Sequence, residues 1–89
     1  MVLPHENDEE AIEMANDSAY GLFSYVYAGD TARAHHIAQS LESGNVALNS
    51  IQPHMEAPFG GFKMSGIGRD RGTWGLKSYS ELQAISWLA

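Results

Sequence analysis

Hydrophobic positions in the middle of the chain change period twice, and these changes predict the local structure. Phe23–Ala28 is rich in aromatic and β-branched side chains on both faces, which is typical of a strand covered on both sides. A helical stripe follows at Ala34, Ile37, Ala38 and Leu41. Val46–Leu48 then forms a second predicted strand. This order predicts a βαβ unit with parallel strands and a right-handed crossover.

Capping residues flank the predicted helices. Asp30 or Thr31 can cap the central helix, and Gly44 suits a left-handed position that ends it. An earlier helix is predicted to begin after Asn7, with Glu10 completing a capping box. The acidic residues of its first turn suit the positive end of the helix dipole.

The last third of the chain begins as a loop and ends in apolar elements. From Asn49 to Arg71 there is no periodicity. Arg71 or Gly72 through Tyr79 predicts a short helix. Its candidate packing residues are Trp74, Leu76 and Tyr79. Leu82–Trp87 alternates like a last strand, and its large side chains on both faces indicate that it pairs with, or lies under, another element.

Length and composition limit the classes of protein that fit. The 89 residues suit one small domain, and 44% hydrophobic residues are typical of a globular protein. The net charge of −6 argues against general attraction to nucleic acid or to an anionic membrane. The sequence has no cysteine, which excludes disulfides, thiolate metal ligands and a cysteine nucleophile within these residues. We expect a cytoplasmic location.

One segment, Glu56–Arg69, concentrates four glycines with aromatic side chains and cations; we call it the glycine-rich loop. So many glycines beside large side chains indicate a loop folded tightly against another part of the chain. Lys63 and Arg69 either bind a phosphate or have a structural role, with Arg69 paired to an acidic group. The spacing fits neither a Walker loop nor the Gly-x-Gly-x-x-Gly fingerprint, which favours the structural role.

The histidines do not suggest a metal site. His35 and His36 are adjacent on a predicted helix and therefore point in different directions, while His5 and His54 lie in separate loops. No metal is predicted. The two tryptophans are expected to pack in the core or at an interface, because the acidic charge balance disfavours stacking on nucleic acid.

Three blocks along the chain match motifs of one protein family. Ala15–Leu22 fits the pattern AN-x-x-x-YGL, Gly44–Asn49 fits G-x-V-x-x-N, and Pro58–Arg69 fits PFGG-x-K-x-SG-x-GR. With these blocks the chain resembles the C-terminal segment of an NAD(P)-dependent aldehyde dehydrogenase. The blocks extend over nearly the whole chain, and the third alone is specific.

The resemblance implies an α/β fold and an oxidoreductase. The chain would be a small βαβ-based fragment of the catalytic domain, a single incomplete domain over residues 1–89 with a C-terminal strand suited to oligomer contacts. Enzymes of this family oxidise an aldehyde to a carboxylic acid at a cysteine and pass the hydride to NAD or NADP. The cysteine and the cofactor-binding half would lie upstream. We therefore expect a truncated portion or a remnant gene product that is inactive alone and binds no cofactor alone.

The resemblance also implies roles for single residues, none of them catalytic. Phe59 corresponds to an aromatic that walls the aldehyde pocket, although it could simply pack under the loop. Ile51, His54 and Met55 belong to the loop that shapes the substrate entrance. Asn49 closes a predicted strand and is expected to hydrogen-bond loop backbone near the catalytic centre, with direct chemistry as the less favoured role. Structural residues near the active site would be Gly60, Gly61, Lys63, Ser65, Gly66 and Arg69.

The expected partners follow from the same resemblance. Leu82–Trp87 corresponds to a strand that takes part in subunit contacts, so the partner would be the rest of an aldehyde dehydrogenase chain or a second copy in a homo-oligomer. The substrate of the intact enzyme would be an aldehyde, with no nucleic acid or membrane partner. The alternative is an independent small α/β module that binds a partner protein or an anion through its glycine-rich loop.

Overall fold

The computed structural model of the chain describes residues 1–51 and 54–88. Helices and strands alternate through this part of the chain. They are α1 (Asp8–Asn16), β1 (Tyr20–Gly21), β2 (Phe23–Val26), α2 (Thr31–Ser40), β3 (Asn45–Leu48), β4 (Phe62–Lys63) and α3 (Gly72–Lys77). The strands form two pairs, β2 with β3 and β1 with β4, so the predicted α/β class is confirmed. Among the described residues, no helix has the length and apolar character needed to cross a bilayer.

The predicted βαβ unit is present, and its strands are parallel as expected. Phe23 lies opposite Asn45 and Val26 lies opposite Leu48, while α2 packs against both strands. β2 ends at Val26, two residues before the predicted end at Ala28. The strand ends early because the side chain of Asn49, and not a strand neighbour, hydrogen-bonds the backbone of Ala28. Its Oδ1 accepts from the Ala28 N–H at 3.0 Å, and its Nδ2 donates to the Ala28 carbonyl at 3.1 Å.

Polar side chains close the first turns of the two longer helices. The Asn7 Oδ1 accepts from the N–H of Glu10 at 2.8 Å, and the Glu10 carboxylate accepts from the N–H of Glu6 at 2.9 Å. The predicted cap is confirmed, with the reciprocal bond shifted one residue towards the N-terminus. Asp30 caps α2 by accepting from the N–H of Ala32 at 3.0 Å.

An ion pair joins α1 to α2. The guanidinium of Arg33 donates two hydrogen bonds to the carboxylate of Asp8, at 2.6 Å and 2.5 Å. These bonds and the nearby positive charge hold the pKa of Asp8 below its ordinary value. Any stability that the pair contributes is therefore present above the ordinary pKa and is lost as the pH falls through the lowered one. Because the pair is open to water, it fixes the relative position of the helices more than it stabilises the fold.

Gly44 has a different role from the predicted helix end. α2 ends at Ser40, and the next residue, Leu41, is already extended with φ −80° and ψ 133°. Gly44 is not among the described glycines with positive φ. Instead, a Cβ at Gly44 would lie 1.6 Å from the carbonyl oxygen of Gly60. A glycine is needed here because two backbones meet, not because the chain turns.

The apolar interior is small. Among the described residues, the buried hydrophobic side chains are those of Val26, Ala34 and Ala47. The other positions of the predicted α2 stripe are half-buried: Ile37, Ala38 and Leu41. The stripe is thus confirmed as the inner face of α2, but it is only partly covered. A chain with so little buried apolar surface has a weak driving force to fold alone.

The C-terminal expectations about packing and strand formation are wrong for the chain by itself. α3 forms, but its predicted packing residues are exposed: Trp74 by 62%, Leu76 by 73% and Tyr79 by 88%. Leu82–Trp87 has no strand assignment, and residues 81–88 are exposed. The physical reason is that a strand needs a neighbouring edge, and no other part of the described chain lies beside this segment. The apolar alternation is real, but its covering partner is not within residues 1–51 and 54–88.

We expect Gly44→Ala to destabilise the chain, because the added methyl group collides with the backbone of Gly60. Overpacking of this kind costs about 1–3 kcal/mol of unfolding free energy. Gly29→Ala is the matched control, since a Cβ at Gly29 meets nothing within 4 Å. Urea unfolding followed by circular dichroism gives the midpoint for each variant. Equal midpoints would contradict the close contact.

Candidate functional site in the glycine-rich loop

The glycine-rich loop is fastened to the beginning of the βαβ unit. β4 pairs antiparallel with β1, so that Lys63 lies opposite Tyr20. The N–H of Met64 extends this pairing by donating to the carbonyl of Ala19 at 2.8 Å. The loop is therefore an integral part of the fold.

Close backbone contacts and left-handed turns account for four glycines of this loop. A Cβ at Gly60 would lie 2.4 Å from the carbonyl oxygen of Gly68, and a Cβ at Gly61 would lie 2.3 Å from the Cβ of Ser65. Gly66 and Gly68 have φ values of 139° and 85°, which residues with a Cβ rarely adopt. The prediction of a tightly folded loop is confirmed.

Ser65 connects the loop to β1. Its Oγ accepts a hydrogen bond from the N–H of Gly21 at 2.8 Å, in a partly buried position. Gly21 is itself buried and leaves no room for a side chain, because its Cβ would lie 2.2 Å from the carbonyl oxygen of Glu42. The hydroxyl therefore satisfies a backbone donor that has little access to water.

Lys63 and Asn16 tie three elements together. The Lys63 ammonium donates to the carbonyls of Asn16 at 2.9 Å and Ser18 at 3.1 Å, and it forms an ion pair with Glu42. The Asn16 side chain donates to the carbonyl of Ser40 and accepts from the N–H of Glu42, both at 2.8 Å. These contacts join the ends of α1 and α2 to β4. The structural role predicted for Lys63 agrees with this geometry.

Arg69 is bonded to backbone and not to an acidic group as predicted. Its Nη1 donates to the carbonyls of Gly61 at 3.2 Å and Gly68 at 2.7 Å, and the guanidinium lies 5.5 Å from the ring centre of Phe62. An acidic partner is the usual expectation for a single cation. In this tight loop, two backbone carbonyls point at the Nη1 of Arg69 and accept its hydrogen bonds instead. With Lys63 also engaged, the loop presents no free cation pair to an anion.

Phe59 is held beside the beginning of α3. It exchanges two backbone hydrogen bonds with Asp70, each 2.7 Å long. Its half-buried ring lies 6.4 Å from the ring of Phe23 and 4.7 Å from the guanidinium carbon of Arg71. The packing role considered for Phe59 is therefore present. A pocket role stays a prediction, because the described residues do not enclose the ring on all sides.

The predicted entrance loop and Asn49 have separate surroundings. Ile51 is 71% exposed and Met55 is 68% exposed, and His54 is also exposed. Residues 52 and 53 of this loop lie outside the described residues. Asn49 adopts φ 50° and bonds the loop backbone of Ala28, after β2; its predicted place near an active site stays a prediction. Within the described part of the chain, no three or more His, Cys, Asp or Glu side chains form a group that could hold a metal ion.

Known proteins with similar sequences identify the family of this chain. The aldehyde dehydrogenase family matches residues 1–85. The chain belongs to this family. It is 43% identical over 84 residues to the 3-succinoylsemialdehyde-pyridine dehydrogenase of Pseudomonas sp, a match that covers 94% of this chain and 18% of that protein. It is 45% identical over 86 residues to the 4-trimethylaminobutyraldehyde dehydrogenase of Oryzias latipes, with coverage of 94% and 17%.

Solved aldehyde dehydrogenases share the fold. The Mycobacterium tuberculosis aldehyde dehydrogenase complexed with NAD+ matches with a TM-score of 0.86 and 33% identity, over 98% of this chain and 19% of that one. The betaine aldehyde dehydrogenase of Staphylococcus aureus, also in complex with NAD+, gives 0.80 and 38%, over 96% and 19%. This aldehyde dehydrogenase chain thus spans less than a fifth of the relatives it matches.

Arg71 is the residue of this aldehyde dehydrogenase chain that sequence reasoning missed. It was considered only as a helix start, yet its guanidinium stacks on Phe59, its backbone has a φ of 67°, and its Nη1 is buried without a hydrogen-bond partner. The available signal was a second cation two residues after Arg69, directly before Gly72. That spacing does not by itself place the side chain on an aromatic ring.

We expect Ser65→Ala to lower the unfolding free energy by about 1–3 kcal/mol, because it leaves the buried N–H of Gly21 without its acceptor. Ser86→Ala is the control, since Ser86 is exposed. Urea midpoints measure both, and hydrogen exchange at the Gly21 amide reports the lost bond directly. An unchanged exchange rate in Ser65→Ala would show that the hydroxyl does not hold this amide.

Proposed function

We propose that the chain is the C-terminal scaffold of an NAD(P)-dependent aldehyde dehydrogenase that oxidises an aldehyde to a carboxylic acid. The family membership and the 94–98% coverage of this chain by relatives support the proposal. The observation that carries it is the state of the glycine-rich loop. Lys63 binds backbone carbonyls and Glu42, and Arg69 binds backbone carbonyls. These contacts favour a structural role for the loop, in which it holds strands together.

The chain alone is proposed to be inactive. Covalent oxidation of an aldehyde in this family needs a positioned thiolate, and these residues include no cysteine. The described contacts of the loop also do not favour a dinucleotide, since the Lys63 ammonium and the Nη1 of Arg69 already donate to backbone carbonyls. NAD or NADP would accept the hydride when it is bound by the rest of the enzyme. In the proposed enzyme, this chain forms a wall of the substrate pocket and the scaffold beside it.

The proposed pocket wall consists of Phe59 with the entrance residues Ile51, His54 and Met55. The backbone N–H and carbonyl of Phe59 are both hydrogen-bonded to Asp70. This bridge would hold the ring in a fixed position beside a substrate. The three entrance residues are exposed in the chain by itself, as residues facing a cavity between this segment and the remaining enzyme would be.

The proposed subunit contact is the segment Leu82–Trp87. Leu82 is 105% exposed, Ile85 71% and Trp87 77%, which leaves a long apolar edge in water. Contiguous apolar surface of this kind marks an interaction site. The partner is the rest of the aldehyde dehydrogenase chain or a second copy. The alternative of an independent anion-binding module is disfavoured by the engaged cations of the glycine-rich loop.

The test is a chimera in which these 89 residues replace the matching segment of the Staphylococcus aureus betaine aldehyde dehydrogenase. We expect the chimera to reduce NAD+ in the presence of betaine aldehyde, and the purified chain alone to give no turnover above background. The reason is that a true scaffold segment restores the host's active site without supplying the chemistry. Absorbance at 340 nm measures NADH formation.

Two results would contradict this proposal. Turnover by the purified chain would show that it carries a reaction centre of its own. A chimera that is soluble and binds NAD+, yet oxidises no aldehyde, would show that the segment does not complete the family's active site. The unaltered host, assayed in parallel, gives the reference rate.

We expect Ile85→Asp in the chimera to shift its sedimentation profile towards smaller species, because a charge would be buried in the proposed subunit contact. Gln39→Asp is the matched control, because Gln39 is exposed on α2 and lies outside the proposed contact segment. Analytical ultracentrifugation separates the species. If both variants kept the oligomer of the host, the segment would have no part in its assembly.

A further inference from the structure

The segment around Arg71 is held in an unusual conformation. Arg71 has φ 67° and Gly72 has φ 59°, so two successive residues lie in the left-handed region. A Cβ at Gly72 would lie 2.1 Å from the carbonyl oxygen of Glu56, so this backbone is pressed against the beginning of the glycine-rich loop. Strain at a residue with a long side chain persists where the surrounding fold determines it, and such residues cluster at functional sites.

This conformation places a cation on the proposed pocket wall. The guanidinium carbon of Arg71 lies 4.7 Å from the ring centre of Phe59. Arg71 is half-buried, and its Nη1 is shielded from water without a hydrogen-bond acceptor among the described residues. A buried donor of a charged group is costly unless it is paired.

Carbonyls of the glycine-rich loop and of Asp70 accept hydrogen bonds from other residues. The carbonyl of Asp70 accepts from Phe59, and the carbonyls of Gly61 and Gly68 accept from Arg69. The ion pairs of the described residues are those of Asp8 with Arg33 and of Glu42 with Lys63, so Arg71 forms no ion pair with a described carboxylate. Nη1 is shielded, but the side chain as a whole is only half-buried, so its positive charge on an aromatic wall suits an anionic ligand that approaches from outside.

We propose that Arg71 binds the carboxylate of an aldehyde that also carries an acid group, so that the enzyme prefers acid semialdehydes. The proposal rests on the proposed function, in which Phe59 lines the aldehyde pocket. Arginine suits this role because its planar fork binds a carboxylate through two parallel hydrogen bonds, and the stacked ring fixes the plane of the fork. The binding is non-covalent and leaves the oxidation chemistry unchanged.

The test uses the chimera described above and three aldehydes that differ in charge: 4-oxobutanoate (anionic), butanal (neutral) and betaine aldehyde (cationic). We expect Arg71→Met to lower kcat/KM for 4-oxobutanoate relative to butanal by about 10- to 100-fold, the loss of a charge-assisted hydrogen bond. The same variant should raise kcat/KM for betaine aldehyde relative to butanal. Arg71→Lys keeps the charge without the fork and should recover part of the preference.

Lys77→Met is the matched control, because Lys77 is also a cation placed over an aromatic ring, 5.1 Å from the centre of Trp74. It removes the same charge away from the proposed pocket, and it should leave the three ratios unchanged. Equal losses for all three aldehydes in Arg71→Met would assign Arg71 to an acidic group of the enzyme and overturn the proposal. Unchanged ratios would overturn it as well. A chimera inactive with every aldehyde would overturn the proposed function itself, which separates the two failures.

Discussion

The contact between the backbones of Gly44 and Gly60 is the constraint on which the rest of this structure depends. The carbonyl of Gly60 occupies the place where a side chain at position 44 would be, and the side-chain Nδ2 of Asn45 donates to the same carbonyl at 3.3 Å. This contact holds the glycine-rich loop against the first residues of β3. On either side of Gly60, the same loop pairs β4 with β1 and places Phe59 beside Phe23.

Large apolar side chains are exposed in this chain, as expected for a segment whose packing partners lie elsewhere in a larger enzyme. Small residues such as Ala34 and Ala47 are buried, while large ones such as Trp74 and Trp87 face water. Each large side chain of this kind would contribute about 1.5–3 kcal/mol if it were fully covered. Polar side chains, by contrast, are largely paired through helix caps and backbone acceptors, and the Nη1 of Arg71 is the exception among the described buried side chains. The described part of the chain is therefore better satisfied in its hydrogen bonds than in its apolar packing.

Local rules explain which features could be predicted from the sequence. The apolar strand around Val26, the α2 stripe and the caps at Asn7 and Asp30 depend on neighbours within a few residues, and each prediction is confirmed. The role of Gly44 was not, because a glycine that ends a helix and one that receives a distant carbonyl have the same sequence signal.

Contacts between distant segments explain the remaining differences. Arg69 was expected to meet an acidic group, but its acceptors are two carbonyls that only the folded loop brings together. Arg71 reaches Phe59 through a left-handed turn that no local pattern predicts. Leu82–Trp87 has the alternation of a strand, but a strand also needs an edge to pair with, and the sequence of one segment cannot supply that edge.

The bonds of Lys63 have a consequence for the order of assembly during synthesis. The ammonium reaches back 47 residues to the carbonyl of Asn16, whereas β2 and β3 are separated by a single helix. Closing the longer loop costs more chain entropy, and it has to wait until residue 63 has left the ribosome. The parallel strand pair, with α1 joined to α2 through Asp8 and Asn16, can therefore form before the Lys63 contacts. Lys63 then adds the last of the described bonds between the end of α1 and the rest of the fold.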